Sequence, residues 1–416
     1  MTGATAKSGY LASAEKDPYK YQPGFGNSFT SESWSSPEPK PSSEDQIRLV
    51  QRGLLVGRSL RRALRTSKLG CTVFSHPSLM PGSPWLVSDF TNANPHIHIN
   101  PTQVAWAPRE LPADHEKIDF IDGLKTLGGT GSTLLREGIA SHTYAANLSM
   151  ERKAFVNSDG DILIFPDTGR LHTQTEMGNE IHYLVVIPGG IKFKVSLPDG
   201  PSRGFVQEVY GTQFVLPEQG PLGTSSLANV RDFEHPVASF DVDQSNWEIV
   251  YKLGGKLFTC KQDHTPFDVV AWTGNYAPYK YAMEKFILVR NANKDHTDPS
   301  TFRVLTAKSR LPSQPLLEIG VIVPHWDVGD SYRGPDFHRN TAPELSGVIY
   351  TPKDKPWREG AVPGGLNYYS GFVPHGSPAE EYKIGVETPK DPIRMFEDSY
   401  LFIVEPAYNL LLTDWL

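Results

Sequence analysis

The sequence predicts an all-β protein built from two β-sandwich or jelly-roll domains. The chain has 416 residues, which is long enough for two domains that each bury an apolar interior. It contains 36 glycines and 35 prolines, a frequency typical of many turns between short strands. Residues Ile191–Leu197 alternate apolar and polar side chains with period two, which predicts a strand with one buried face.

Two short apolar runs predict the fold of the first domain. Asp161–Phe165 and Tyr183–Ile187 are each followed by proline, and the turn residues around them are spaced like those of a cupin, a small double-sheet barrel. The histidine pair that usually accompanies such a barrel is missing. Residues 28–44 are rich in Ser, Pro and Glu and are predicted to form an arm or long loop. Residues 1–290 are therefore interpreted as a β domain with an arm and a degenerate cupin that holds no metal.

A polar stretch marks the predicted domain boundary. Asn291–Ser300 follows an apolar strand and precedes the apolar run Phe302–Leu305. The second domain, residues 291–416, contains further strand signals at Leu317–Val323 and Tyr400–Val404. It is predicted to be cupin-like and to carry the metal.

Composition limits the compartment and the partners. The formal net charge of -7 argues against nucleic acid as a partner. The amino terminus lacks an apolar signal-peptide core, and no segment approaches the ~20 apolar residues of a membrane span. Cys71 and Cys260 are the only cysteines, so neither a disulfide framework nor a thiolate metal site is indicated. We expect a soluble cytoplasmic protein without a membrane partner. The basic segment Arg52–Lys68 is interpreted as a solvated, helical surface face, with a polyanion site as the alternative.

Two histidines and a carboxylate in the second domain form a candidate metal site. His338 and Glu344 flank a short turn, and His375 lies between Pro374 and Gly376, which restrict the backbone around it. Two imidazoles and one carboxylate can bind Fe(II) and leave adjacent coordination positions open. The chain has 13 histidines, so spacing alone also allows these residues to be ordinary surface or core side chains.

Other histidines offer rival interpretations. His96 and His98 point to the same face of a predicted strand, as chelation requires, but no carboxylate follows within several residues, and a structural role is preferred. His325 is interpreted in the same way. His296 lies in the predicted interdomain loop, where its imidazole has a pKa suited to removing a phenolic proton, or is simply solvated.

Seven stretches spread along nearly the whole chain carry recognisable motifs: Tyr21–Asn27, Asn157–Asp161, Leu227–Phe233, Gly274–Tyr281, Val304–Ser309, Phe337–Asn340 and Pro374–Gly376. Taken together and in this order, they resemble the homogentisate 1,2-dioxygenase family. The resemblance implies that His338, Glu344 and His375 bind Fe(II) and that His296 is the general base. It also implies a large amino-terminal β domain, a cupin-like carboxy-terminal iron domain and a hexamer built from two trimers. The implied reaction inserts O2 into homogentisate to give maleylacetoacetate, in tyrosine and phenylalanine catabolism.

The sequence departs from the family pattern on the substrate side. Tyr369 stands where the family has a pocket histidine, and Lys353 stands where it has a tyrosine near the substrate carboxylate. Residues 53–60 also differ from the usual stretch. Lys353 is a candidate partner for the carboxylate, with a solvated surface lysine as the alternative. Two other functions stay open: a paralogue that cleaves another hydroquinone or gentisate-like acid, and a non-enzymatic binding protein with two cupin domains.

Overall fold

The protein consists mainly of short antiparallel strands. The computed structural model describes residues 17–25, 28–31, 56–59, 78–79, 86–91, 94–182, 184–218, 227–288, 302–311, 314–327, 337–354, 356–358, 360–388 and 391–414. Helical structure in these ranges is limited to α1, Ala379–Glu387, and two 3-10 turns, Val230–Asp232 and Met283–Lys285. No helix in these ranges has the length and apolar character needed to cross a membrane.

The largest sheet has ten described strands and forms the middle layer of the molecule. Its strands, in spatial order, are β1 (Tyr21–Pro23), β17 (Phe233–Pro236), β21 (Tyr279–Tyr281), β13 (Val185–Ile187), β10 (Gly160–Thr168), β15 (Ser202–Tyr210), β8 (Glu137–Ala146), β7 (Leu124–Ser132), β29 (Leu411–Thr413) and β5 (Ile97–Ile99).

Two seven-stranded sheets cover the two faces of this middle layer. The first contains β12 (Gly178–His182), β11 (Leu171–Thr175), β14 (Lys192–Ser196), β9 (Lys153–Asn157), β18 (Trp247–Leu253), β19 (Lys256–Gln262) and β4 (Ser78–Leu79). The second contains β16 (Phe214–Val215), β22 (Arg303–Lys308), β23 (Pro315–Ile322), β28 (Tyr400–Pro406), β25 (Glu344–Tyr350), β26 (Leu366–Tyr369) and β6 (Gln103–Trp106).

Two smaller sheets complete the described strands. One contains β2 (Ser28–Ser31), β20 (Val269–Gly274) and β3 (Val56–Ser59), and the other pairs β24 (His325–Asp327) with β27 (Ile393–Met395). All described strand pairs are antiparallel except β9 with β18. The predicted all-β class is therefore confirmed.

Strand β10 shows why the middle sheet is buried on both faces. Ile162 and Ile164 belong to the core between the middle sheet and the first seven-stranded sheet. Leu163 and Phe165 point the other way, into the core shared with the second seven-stranded sheet. There the Phe165 ring stacks on Phe402 with centroids 4.9 Å apart. A continuous apolar run in a strand allows burial on both faces, because successive side chains alternate between them.

The core between the middle sheet and the second seven-stranded sheet, here called the second core, differs from the expectation of a separate interior for each domain. It combines residues from both sides of the predicted boundary at residue 290, since the middle sheet supplies one wall. Strands also cross the boundary: β29 pairs with β7 in the middle sheet, and β6 pairs with β26 in the second seven-stranded sheet. The position of the boundary stays a prediction.

Local strand predictions agree with the structure where it describes them. In β14, buried Phe193 and Val195 alternate with half-buried Lys192, Lys194 and Ser196, as the period-two pattern predicts. The runs predicted around residues 161–165, 302–305 and 400–404 lie in β10, β22 and β28. The predicted interdomain stretch Asn291–Ser300 lies outside the described residues.

Two local predictions are wrong in part. Ser28–Ser31, placed in the predicted arm, forms β2, and Val56–Ser59, in the basic segment predicted to be helical, forms β3. Both strands pair with β20, so main-chain hydrogen bonds to an available strand outweigh the local preference. The other residues of these two segments lie outside the described ranges.

The core between the middle sheet and the first seven-stranded sheet, here called the first core, encloses a network of charged side chains. The ammonium of Lys252 lies 2.8 Å from Asp159 Oδ2 and 2.7 Å from Glu208 Oε1. The other oxygen of Glu208 lies 3.2 Å from His142 Nε2, and Asn157 donates to Glu208 at 2.7 Å. Burial opposes ionisation of Glu208, but the charges of Lys252 and His142 outweigh it and hold the pKa of Glu208 at about 2.

Glu180 on β12 is a buried acid whose carboxyl oxygens make no hydrogen bond to the residues that the structure describes. Burial raises the pKa of Glu180 to about 8; Lys280 opposes the shift, and Asp17 and Glu234 add to it. The folded protein therefore keeps a proton that the unfolded chain loses near 4.5, so the contribution of Glu180 to stability is complete below 4.5 and is lost as pH rises through 8.

Glu180→Gln is expected to raise thermal stability at about pH 8 and to have little effect at about pH 5, because glutamine stays neutral in the same shape. Thermal unfolding of both proteins at the two pH values measures this. An equal shift in Tm at both values would contradict the assignment of a neutral Glu180.

Candidate metal centre

Main-chain pairing brings the three predicted ligands together. Glu344 is the first residue of β25 and lies opposite Tyr369, the last residue of β26. His338 precedes β25 and His375 follows β26, and these two residues form an isolated antiparallel bridge. Their backbones exchange two hydrogen bonds of 2.8 Å each. The hairpin of β25 and β26 thus carries all three side chains at one end.

The donor atoms of this triad converge. One ligand atom from each of His338, Glu344 and His375 lies within 4.8 Å of the other two. Glu344 Oε2 is 3.3 Å from His375 Nε2, and the two imidazole centroids are 4.4 Å apart with an interplanar angle of 59°. Nitrogen and oxygen ligands lie roughly 2 Å from a transition metal, so donors separated by these distances can share one ion.

His375 is oriented for coordination through Nε2. Its Nδ1 donates to the Val373 carbonyl at 2.9 Å, which fixes the tautomer and leaves a lone pair on Nε2. Nε2 is buried and faces Glu344 Oε2 at 3.3 Å. Burial lowers the pKa of His375, but the Glu344 carboxylate and the Val373 carbonyl outweigh it, and the pKa lies above its usual value. The carboxylate that attracts a proton to this imidazole also attracts a cation.

Asn340 is a neighbour of the triad that sequence reasoning did not single out. Its side-chain nitrogen lies 3.5 Å from His338 Nε2, and its backbone carbonyl accepts a 2.7 Å hydrogen bond from the Phe372 backbone amide. Phe372 has a φ of 65°, a left-handed conformation that returns the chain towards His375. Asn340 therefore connects the segments that carry the two histidines.

Tyr369 lies directly against the triad. Its ring stacks on His375 with centroids 4.5 Å apart and an interplanar angle of 17°. Burial and the Glu344 carboxylate raise the pKa of Tyr369, and the Arg358 guanidinium partly opposes this. Tyr369, one of the residues at which this sequence departs from the family pattern, therefore forms part of the wall of the site.

The loop after β25 contains three cations in the sequence, and the structure describes two of them, Lys353 and Arg358. Lys353 is exposed and forms no hydrogen bond or ion pair within the described part of the chain. Arg358, which sequence reasoning missed, lies over the Trp357 ring at 4.8 Å and has its Nε 4.0 Å from Glu381. Its electrostatic effect on Tyr369 places it near the site. Its signal in the sequence was that it is a further cation in the same loop as Lys353.

The remaining histidines are distributed elsewhere. His98 lies exposed on β5, and His96 lies exposed in the turn before it, with Nδ1 3.8 Å from Asp414 Oδ2. His325 is buried; its Nδ1 donates to the Val323 carbonyl at 2.8 Å, and its ring stacks on Phe396. Within the described ranges, the triad is the one group of three His, Cys, Asp or Glu residues with metal-binding spacing. His296 lies outside these ranges.

Comparison with known proteins identifies the family. Residues 20–283 match the family model described as homogentisate 1,2-dioxygenase N-terminal, and residues 284–416 match the corresponding C-terminal model. The homogentisate 1,2-dioxygenase of Oryza sativa subsp. japonica is 39% identical over 416 residues, covering 95% of this chain and 88% of that protein. The enzyme of the same name from Arabidopsis thaliana is 40% identical over 386 residues, covering 89% of this chain and 82% of that protein.

The Homo sapiens protein of that name is 35% identical over 412 residues, covering 95% of this chain and 92% of that protein. Among solved structures, a cupin 2 conserved barrel domain protein from Leptotrichia buccalis aligns with 68% of this chain and 88% of its own at 8% identity. Its TM-score of 0.29 is too low to support an argument. The two matched family models together span residues 20–416, and the chain belongs to the homogentisate 1,2-dioxygenase family.

Proposed function

We propose that this protein is an Fe(II)-dependent ring-cleaving dioxygenase that inserts O2 into homogentisate to give maleylacetoacetate. The observation that carries the proposal is the convergence of His338, Glu344 and His375 donor atoms within 4.8 Å. Family membership supports the substrate, because relatives that align with most of the chain carry the name homogentisate 1,2-dioxygenase.

The donor set fits a ferrous ion. Two imidazole nitrogens and one carboxylate oxygen on one side of an ion match the facial arrangement of non-haem Fe(II) oxygenases. The buried Nε2 of His375 faces the Glu344 carboxylate at 3.3 Å, and an ion bound by both would satisfy them together. When bound, iron would supply a Lewis-acidic centre with open positions for a phenol and O2.

The chain's own residues would then hold the substrate and move its proton. The Tyr369 ring, which stacks on His375, would bound the space for an aromatic substrate. His296 would accept the phenolic proton, since imidazole titrates near neutral pH. Lys353 would pair with the substrate carboxylate as a point charge.

Two variants test which cation, Lys353 or Arg358, binds the substrate carboxylate. Lys353→Met is expected to raise KM for homogentisate by about tenfold or more with a smaller change in kcat, because a charge-assisted hydrogen bond is lost. Arg358→Met is the matched control, since it removes a cation from the same loop. Steady-state oxygen uptake measures both. A raised KM in Arg358→Met with an unchanged KM in Lys353→Met would move the carboxylate-binding role to Arg358.

A substrate comparison tests the function itself. Oxygen uptake by iron-loaded protein should be faster with homogentisate than with gentisate or an unsubstituted hydroquinone, and His296→Gln should lower kcat without changing the iron content. The presence of Tyr369 in the wall of the site favours one alternative, a paralogue for another dihydroxyaromatic acid. Faster turnover of such an acid would establish that alternative. Ligand binding without iron and without oxygen uptake would establish a binding protein.

We also propose a cytoplasmic location and a hexamer of two trimers, on the basis of the family resemblance. Light scattering of the purified protein measures the mass in solution. A monomer or dimer at micromolar concentration would contradict the assembly.

A further inference from the structure

Arg203 links the middle sheet to the sheet that carries the candidate metal centre. It lies near the start of β15, and its side chain is largely buried. Nη1 donates to the Arg109 carbonyl at 2.6 Å, and Nη2 donates to the Pro363 carbonyl at 2.8 Å. Nε donates to Asp167 Oδ1 at 2.9 Å, so a carboxylate balances the guanidinium charge. One side chain thus connects three separate segments.

The two carbonyls lie just beyond the ends of two neighbouring strands of the second seven-stranded sheet. Arg109 follows β6 and Pro363 precedes β26, and these strands pair with Leu366 opposite Trp106. Arg203 therefore holds the two strands at the end where β26 begins. At its other end, β26 finishes at Tyr369, which stacks on His375 and lies opposite Glu344.

Gly364 leaves room for the Arg203 side chain in the turn before β26. It has a φ of 85°, and a Cβ at this position would lie 2.9 Å from Arg203 Nε and Nη2. The Gly364 amide also donates to the Val348 carbonyl of β25 at 2.8 Å. The guanidinium therefore packs against a turn that is itself bonded to the strand that begins with Glu344.

We infer that Arg203 is a positioning residue for the metal centre. It fixes the start of β26 against β6. It thereby sets the position of Tyr369 at the other end of β26, and with it the positions of His375 and Glu344. A planar guanidinium suits this role because its fixed fork can donate to two carbonyls and a carboxylate at once, which an ammonium cannot reproduce. The inference rests on the proposed metal site.

The test compares Arg203→Met and Arg203→Lys with Arg170→Met in the full chain. Arg170 is a control because it is similarly buried and pairs with Asp199 through two hydrogen bonds of 2.7 Å, in the connection from β10 to β11 of the first seven-stranded sheet. The probes are the absorption spectrum and affinity of added Co(II), and amide hydrogen exchange across residues 363–375 of the apoprotein. Thermal unfolding reports the general loss of stability in each variant.

Arg203→Met is expected to weaken Co(II) binding by about tenfold, to shift the Co(II) absorption bands, and to speed exchange in residues 363–375. Arg203→Lys should recover only part of each property, and Arg170→Met should leave all three at wild-type values even where its Tm falls as much. Wild-type spectra, affinity and exchange in a folded Arg203→Met would overturn the inference.

If Arg203→Met does not fold, Gly364→Ala, which crowds the same guanidinium, takes its place. If the wild-type protein binds no Co(II), the proposed function fails, whereas the exchange comparison still decides whether Arg203 positions β26.

Discussion

His375→Ala is expected to remove bound iron and to lower oxygen uptake with homogentisate by on the order of 10³-fold or more. Metal-ion catalysis contributes several kcal/mol to transition-state stabilisation, and each 1.36 kcal/mol is about tenfold in rate. The loss should be large because His375 combines three features: a buried Nε2, a fixed tautomer through Val373, and a position 3.3 Å from Glu344.

Iron content by elemental analysis and oxygen uptake measure the two effects. His96→Ala is the control, since this histidine is exposed in the turn before β5 and lies outside the triad. Glu344→Gln should behave like His375→Ala, because it keeps the shape but removes the negative charge that attracts the cation. Stoichiometric iron and normal turnover in His375→Ala would show that the metal lies elsewhere.

Lys252→Met is expected to cost about 3–5 kcal/mol of folding free energy, the effect typical of breaking a buried ion pair by removing one partner. The ammonium lies within 2.8 Å of both Asp159 and Glu208. Both carboxylates are buried, so the variant leaves two like charges without their counterion in the first core.

Urea unfolding at neutral pH measures this loss. Lys308→Met serves as the control: its ammonium is 3.2 Å from Glu218 Oε1, both side chains are exposed, and exposed ion pairs contribute about 0–1 kcal/mol. Lys252→Met combined with Glu208→Gln should recover part of the loss, because the second change removes one uncompensated charge. A loss below about 1 kcal/mol in the single variant would contradict the assigned role of the network.

The network also predicts an acid limit to stability. The pKa of Glu208 in the folded protein, about 2, lies below its ordinary value of 4.5, so its contribution is complete above 4.5 and is lost as pH falls towards 2. Sequence reasoning identified neither Lys252 nor Glu208. Both occur in strands where a charged residue is usually assigned to solvent, and only their juxtaposition across the first core explains their burial.

The candidate site was predictable in its residue types but not in its geometry. His338, Glu344 and His375 were selected because two histidines and a carboxylate form a known iron-binding set, and a family resemblance raised this set above other histidine combinations. The backbone bridge between His338 and His375 joins residues that are distant in the sequence, so no local pattern encodes it. Arg358 and Asn340 were missed for the same reason, since each becomes relevant only through a neighbour in space.

Local sequence patterns were enough to predict the short strands, their buried faces and the residue types of the candidate ligands. These properties depend on neighbouring residues, as the period-two alternation in β14 illustrates. Long-range contacts alone establish that the middle sheet is shared by two cores, that β6 joins the second seven-stranded sheet and β29 the middle sheet, and that Arg203 of the middle sheet donates to the Pro363 carbonyl before β26. Sheet order and burial on a second face depend on contacts between segments far apart in the chain, and residue periodicity carries no information on which distant segment becomes the partner.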